Sequence, residues 1–291
     1  MIASVRRLAA VCLLGAALAA CGTDQPPRPA RPAPAPPSPA APRPHTPAPG
    51  PDGPAPVFSH ALRTRDRTVA LTFDADMTAD QGPRAAAGER FDNPELIATL
   101  RALKVPATVF MTGRWAEEYP LQARAIGRDP LFEIANHSYS HYAFTDDCYG
   151  LPTLPEDRMR ADVERAYTAF REAGVPDARP YFRFPGGCHD RRALRAVSGA
   201  GVTVVQWDVV SGDAFATDAD AVARDVLEGV RPGSVVVMHC TRSAAPATER
   251  AVRAIVPELR RRGYRLVKVS ELIAGRARPA VSAAPSRTLE P

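Results

Sequence analysis

The sequence predicts an α/β fold: a single domain built as a distorted (β/α)7-type barrel of parallel strands. Three observations predict it. Apolar, β-branched runs recur near 68–73, 107–112, 131–135, 181–184, 203–209, 234–238 and 265–269, and amphipathic helical patterns lie between them. The stretch they cover, residues 57–275, has a length that suits one α/β domain. Five short polar segments each end or follow one of the β-branched runs, and a parallel barrel opens all such ends onto one face. An open doubly wound sheet shares the alternation and is the competing architecture.

The chain begins with Arg6 and Arg7, then an apolar stretch from Leu8 to Ala20 that is too short to span a bilayer. This pattern is an export signal. It ends in Leu18-Ala19-Ala20-Cys21, which resembles the lipobox of bacterial lipoproteins. The resemblance implies that residues 1–20, Cys12 included, are removed. Cys21 would then carry lipid and hold the protein on the outer face of the cytoplasmic membrane, where two acyl chains suffice for stable anchoring. An ordinary secretory signal is the alternative. Between Pro26 and Pro56, fifteen prolines alternate mainly with alanine, serine and arginine. Residues 21–56 therefore form a linker without a packed core, a polyproline-type spacer on the order of 100 Å long at ~3.1 Å per residue. Residues 276–291 form a polar, proline-bearing tail that is also expected to be disordered.

The net charge of +5 belongs to these flanks. Residues 58–275 hold 29 basic and 29 acidic side chains, and no basic stripe runs along them, which excludes the usual nucleic-acid footprint. Within the domain, Asn93-Pro94 reads as an N-cap with proline in the first turn, opening a helix over 95–104. Further helices are predicted over 114–127, 155–173, 190–198, 218–230 and 246–262. Three cysteines remain, Cys148, Cys188 and Cys240. Cys188 and Cys240 each closely follow a polar segment at a strand end, so a Cys188–Cys240 bridge is expected, with Cys148–Cys188 as its rival. No Cys-x-x-Cys pair supports a thiolate zinc site.

The five segments are Thr-Phe-Asp-Ala-Asp (72–76), His-Ser-Tyr-Ser-His (137–141), Arg-Phe-Pro-Gly-Gly (183–187), Trp-Asp-Val-Val-Ser-Gly-Asp (207–213) and Val-Met-His (237–239). His137 and His141, four apart, point one way in a helix or turn. Alone, such a pair is more often surface decoration, and an acidic pair at a strand end is more often a loop cap. Together, two histidines and a carboxylate are a hydrolytic zinc set with positions left open for water and substrate.

The ordered set resembles the polysaccharide deacetylase family (NodB-type, carbohydrate esterase family 4). That family reads Thr-Phe-Asp-Asp, His-Ser/Thr-x-x-His, Arg-x-Pro-Tyr, an Asp-Trp segment and Leu-x-His, over about residues 66–272 of this chain. The resemblance implies a deformed barrel, a divalent metal (usually zinc, with cobalt or manganese possible) and hydrolysis of acetyl groups on a carbohydrate polymer. By position, Asp74 is the general base, and Arg183 pairs with it and orients it. Asp76, His137 and His141 are the metal ligands, and Asp213 orients His239, the general acid. Gly186 offers a backbone N–H to the reacting carbonyl, and Val237 lines the acetyl pocket.

Three departures from the pattern bear on that transfer. Ala75 stands where the family places its metal-binding aspartate, so Asp76 must take over. Because residues 74 and 76 share a face of an extended strand, a kink at the strand end is expected to separate base from ligand. Gly186 replaces a tyrosine that walls the sugar site, and Ala214 replaces a tryptophan beside the acetyl pocket. Trp207 is expected in the core, and His189-Asp190 at a helix start. The stretches Met77–Asp92 and Phe144–Pro155 are expected to form the rim.

The expected function is an exported, lipid-anchored, metal-dependent deacetylase of an envelope glycan such as peptidoglycan. A catalytically idle glycan-binding scaffold and a metal-dependent amidase of non-carbohydrate C–N bonds are the alternatives.

Overall fold

The computed structural model describes residues 53–63 and 65–277. The signal segment 1–20, the linker up to residue 52 and the tail from 278 lie outside the described residues. The end of the proline-rich stretch belongs to the domain: Ala55 is buried and its N–H donates to the carbonyl of Leu194 at 3.0 Å.

In chain order the strands are β1 (Val57–Phe58), β2 (Thr68–Ala75), β3 (Ala107–Met111), β4 (Phe132–Asn136), β5 (Ala178–Phe182), β6 (Thr203–Val205), β7 (Val209–Val210), β8 (Ser234–His239) and β9 (Arg265–Leu266). The helices are α1 (Gly82–Ala86), α2 (Pro94–Ala102), α3 (Gly113–Glu118), α4 (Pro120–Gly127), α5 (Glu156–Glu172), α6 (Arg191–Ser198), α7 (Ala219–Gly229), α8 (Thr248–Arg261) and α9 (Val269–Ala277). Local chemistry sets several of their starts. The side chains of Asn93, Thr112, Asp190 and Asp218 accept hydrogen bonds from the first-turn N–H groups of α2, α3, α6 and α7. The helix expected over 114–127 is broken at Tyr119, because Pro120 has no N–H to continue it and instead opens α4. The segment expected as one strand over 203–209 divides into β6 and β7.

All paired strands run parallel, in the order β1-β6-β5-β4-β3-β2-β8-β7, with β9 beside β2. The sheet curls, as the barrel reading requires. Just past β1, His60 meets Ser234 of β8 in an antiparallel bridge, and Ala61 N–H donates to Gly233 O at 2.9 Å. Asp208 fastens this seam. Its carboxylate accepts from Arg63 Nη2 (2.6 Å), Ser234 Oγ (2.9 Å) and Val235 N (2.7 Å).

The period of two along the strands sorts side chains into two layers. Val69, Leu71, Phe73, Ala75 and Met77 face the helices and join their core, with Val109, Met111, Ile134, Val236 and Met238. Ala70, Phe110, Ala135, Tyr181 and Val235 face inward, where α9 closes the lower end with Val269, Leu272 and Ile273. The upper end, at the strand C-termini, is left for the polar segments.

Asp208→Ala would leave the Val235 N–H without its partner at the seam. Arg63 is half exposed, so its ion pair counts for little. The expected loss of unfolding free energy in urea is about 1–3 kcal/mol, from the stranded donors. A change below about 0.5 kcal/mol would show that Asp208 does not fasten the barrel.

Candidate functional site

β2 lies between β3 and β8, with Asp74 in register with Phe110 on one side and His239 on the other. Asp74 is buried, and its Oδ1 accepts from Arg183 Nη1 at 2.6 Å. Arg183, one residue past β5, is fully buried. Its guanidinium lies over the rings of Phe110 (3.9 Å) and Trp207 (5.3 Å), and its Nε donates to Val205 O at 3.2 Å. Burial disfavours the cation and lowers the Arg183 pKa, while the charge and hydrogen bond of Asp74 work to restore it.

Asp76 lies one residue beyond the end of β2, with its backbone N–H donating to Thr241 Oγ1 at 2.9 Å. Its Oδ1 is buried and receives no hydrogen bond. It faces His137 Nε2 at 3.4 Å and His141 Nε2 at 3.6 Å, and Oδ2 faces His239 Nε2 at 3.9 Å. His137 follows β4 directly. Its Nδ1 sits 2.9 Å from the carbonyl of Arg183, an acceptor only, so Nδ1 carries the proton and Nε2 turns to the carboxylates. Ser138 and His141 both have positive φ, 69° and 56°, and the turn between them is not helical. Asp162 of α5 fixes it by accepting from the N–H groups of Tyr139 (2.8 Å) and Ser140 (3.2 Å).

Opposite these residues, His239 ends β8. Its Nδ1 is 2.8 Å from Asp213 Oδ1, and its N–H donates to Asp213 Oδ2 at 2.7 Å. Ser211 and Thr248 hydroxyls hold the same carboxylate at 2.9 and 2.6 Å. Burial disfavours the imidazolium, but the bond and charge of Asp213, with Asp76 and Asp74, outweigh it and push His239 up to about 10. Asp76 moves the other way. Burial raises its pKa, yet His141, His137 and His239 hold it well below the usual carboxylate range. His141 is pushed down to about 4, chiefly by burial, so it is neutral at pH 7. His137 is raised, because Asp74 and Asp76 outweigh its burial.

The ligand atoms of Asp76, His137 and His141 all lie within 4.8 Å of one another. An unpartnered buried carboxylate oxygen beside two inward-turned imidazole nitrogens is a donor set that fits a divalent cation.

The sequence profile of the polysaccharide deacetylase family matches residues 61–205. The chain belongs to that family. It is 28% identical over 229 residues to a chitooligosaccharide deacetylase of Bradyrhizobium, covering 75% of this chain and 97% of that one. A peptidoglycan-N-acetylglucosamine deacetylase of Bacillus cereus is 29% identical over 206 residues, covering 70% and 67%. Among solved structures, the Bc1960 peptidoglycan N-acetylglucosamine deacetylase superposes with a TM-score of 0.63 over 75% of this chain and 92% of that chain, at 24% identity. That last likeness speaks to the fold alone.

Against the polysaccharide deacetylase pattern, the kink expected to separate Asp74 from Asp76 is not needed. Both residues project inward from one face, ~6.6 Å apart along the chain. Asp74 reaches Arg183 at the lower level, and Asp76 reaches the histidines at the lip. Ala75 points the other way, into the helix-facing core, where an aspartate would be buried among apolar side chains. Val237 shares the inward face with His239.

The expected Cys188–Cys240 bridge is wrong: the disulfide is Cys148–Cys188, with Cα atoms 5.9 Å apart. Cys240 follows His239 and therefore takes the opposite, helix-facing side, where burial pushes its thiol up to about 12. The bridge also accounts for Gly186, whose φ is +64°. A Cβ there would sit 2.6 Å from Cys148 Sγ and 3.3 Å from the Tyr149 ring, so no side chain fits. Trp207 is half-buried and packs on the interior cluster, and Asp190 caps α6, as the sequence indicates. Thr241, Thr248, Asp162 and Phe110 were not identifiable beforehand; Ser211 stood unremarked inside a segment already singled out.

Asp76→Ala is expected to abolish retention of zinc or cobalt after dialysis, measured by mass spectrometry of the metal, while Asp74→Asn retains it. Retention should also fall as pH drops. Because His137 is raised, protons displace the ion at a higher pH than they would from an ordinary imidazole. Equal retention by both variants would contradict the ligand assignment.

Proposed function

We propose that this chain is a metal-dependent hydrolase that removes acetyl groups from N-acetylated amino sugars of an envelope polysaccharide, peptidoglycan or a related glycan. One observation carries the reading. A carboxylate–arginine pair and a histidine–carboxylate pair flank a single Asp-His-His cluster from two sides. Asp76, His137 and His141 would hold the cation, for which zinc is the favoured identity with cobalt and manganese as alternatives. When bound, it supplies a Lewis acid for the acetyl carbonyl and a means of acidifying water.

The chain's own residues supply the rest. Asp74 Oδ1 is engaged by Arg183, while Oδ2 faces His137 Nε2 at 3.7 Å, on the cluster side. Asp74 is therefore the group placed to take a proton from the attacking water. An amide nitrogen leaves poorly unless protonated. His239 holds a proton at neutral pH, and its Nε2 is the free nitrogen turned to the cluster, so it gives that proton to the departing amine. Thr248, Ser211 and Asp213 keep the ring in place. The Gly186 N–H and Val237 are assigned to the carbonyl oxygen and the acetyl methyl.

The substrate class follows the sequence relatives, whose names specify chitooligosaccharide and peptidoglycan N-acetylglucosamine. Cys21 and the proline-rich stalk support a lipid-anchored position at the outer face of the cytoplasmic membrane, facing the wall.

Full-length protein supplied with zinc, cobalt or manganese is expected to release acetate from acetylated glycans. Asp74→Asn or His239→Ala should lower the rate about 10²–10⁴-fold. Absence of acetate from every glycan would contradict the reading and favour the idle scaffold or the non-carbohydrate amidase. The rate should also decline on the alkaline side as His239 loses its proton. Asp213→Asn removes the main group raising that pKa, so the decline should begin at lower pH; an unmoved profile would remove His239 as the acid. For the anchor, Cys21→Ala should shift the protein from the membrane fraction to the soluble one, and an unchanged distribution would defeat the lipoprotein assignment.

A further inference from the structure

Two aromatic side chains stand largely in solvent. Tyr149 is 87% exposed and Phe215 82%, the highest values among the exposed large apolar side chains of the described residues. Both also hold positive φ, 52° and 60°, a backbone region that bulky residues rarely occupy. Five non-glycine residues among those described share that property, and Ser138 and His141 of the histidine turn are two of the others. Unfavourable backbone of this kind persists where surrounding structure imposes it, and it gathers at ligand sites.

Each aromatic is strapped to one arm of the site. Tyr149 follows Cys148, whose disulfide to Cys188 ties it to the segment after β5, and a carbon of its ring lies 3.3 Å from where a Cβ on Gly186 would sit, three residues past Arg183. Phe215 sits in the turn that starts at Asp213, the partner of His239. Ala216 N–H donates to Asp213 O at 3.1 Å, and Phe215 N–H donates to Ala244 O in the loop after β8. In the sheet order β5-β4-β3-β2-β8-β7, Tyr149 belongs to the β4 and β5 loops and Phe215 to the β7 and β8 loops. Asp76, at the end of β2, lies between them in that order. Neither ring sits at a position where the family pattern places an aromatic: those positions are Gly186 and Ala214, and each ring stands beside one of them.

We propose that Tyr149 and Phe215 are sugar-ring platforms at the two ends of a groove across the metal cluster. They would hold the pyranose rings on either side of the one that loses its acetyl group. Equatorially substituted pyranoses present flat C–H faces that pack on exposed aromatic rings. The ligand class is therefore an oligosaccharide of at least three rings, not a monosaccharide or disaccharide. The proposal rests on the deacetylase reading and names which side chains select its substrate.

The test compares full-length, zinc-loaded wild type with Tyr149→Ala, Phe215→Ala, the double variant, and the rescue variants Tyr149→Phe and Phe215→Tyr. Acetate release is measured on the dimer and pentamer of N-acetylglucosamine, with the disulfide checked by mass. Each alanine variant is expected to raise KM for the pentamer ~10-fold, with kcat changed far less. The double variant should lose the preference for pentamer over dimer, and the aromatic rescues should restore it. A wild type that turns over the pentamer while the alanine variants keep its KM overturns the platform assignment alone. KM rising equally in the rescue variants overturns it too. A wild type that releases no acetate from any glycan overturns the deacetylase reading, and the platforms with it.

Discussion

β2 projects Asp74 and Asp76 from the same face, one strand repeat apart, and the site is arranged around that difference in depth. At the lower level the carboxylate meets a fully buried guanidinium. Removing two charges from water is costly, and the cost is met only by close geometry and by satisfying the remaining donors. Here the Asp74 contact, the Val205 carbonyl and the faces of Phe110 and Trp207 provide much of that setting, while Arg183 Nη2 is buried without a hydrogen-bond partner. At the upper level the second carboxylate meets no guanidinium, only imidazoles. The division leaves one carboxylate oriented by arginine and the other with an unpartnered oxygen, which is the asymmetry a base and a ligand require.

The supports follow from the same sheet. His137 emerges where β4 ends, and its ring is set by the carbonyl of Arg183, so the arginine arm positions both the proposed base and one proposed ligand. On the far side, β8 delivers His239 while Asp213 returns from the turn after β7 to hold it. Buried polar groups in such numbers are stable only when their hydrogen bonds are made, and Asp213 accepts from Ser211, Thr248, the His239 backbone N–H and the His239 Nδ1.

The strand runs and most helix starts were legible because period-two patterning and N-cap residues are local signals. β1 is two residues emerging from a proline-rich stretch, and α9 opens at Val269, directly out of the last β-branched run, so neither stood out. The site residues were legible through their order along the chain, but the relation of Asp74 to Asp76 was not. Alternation puts both residues on one face, and depth along the strand, which no local pattern marks, is what separates them. Parity would also have corrected the cysteine pairing, since His239 at the mouth puts Cys240 behind the sheet. The Cys148–Cys188 bridge and the conformation of Gly186 depend on loop paths that no local pattern encodes.

If Asp76 holds the metal and Asp74 moves the proton, anomalous scattering from a cobalt-loaded crystal will show a single cobalt peak bounded by Asp76, His137 and His141, with Arg183 still paired to Asp74. Cobalt bound by Asp74, or no cobalt at this cluster, would contradict that division of labour.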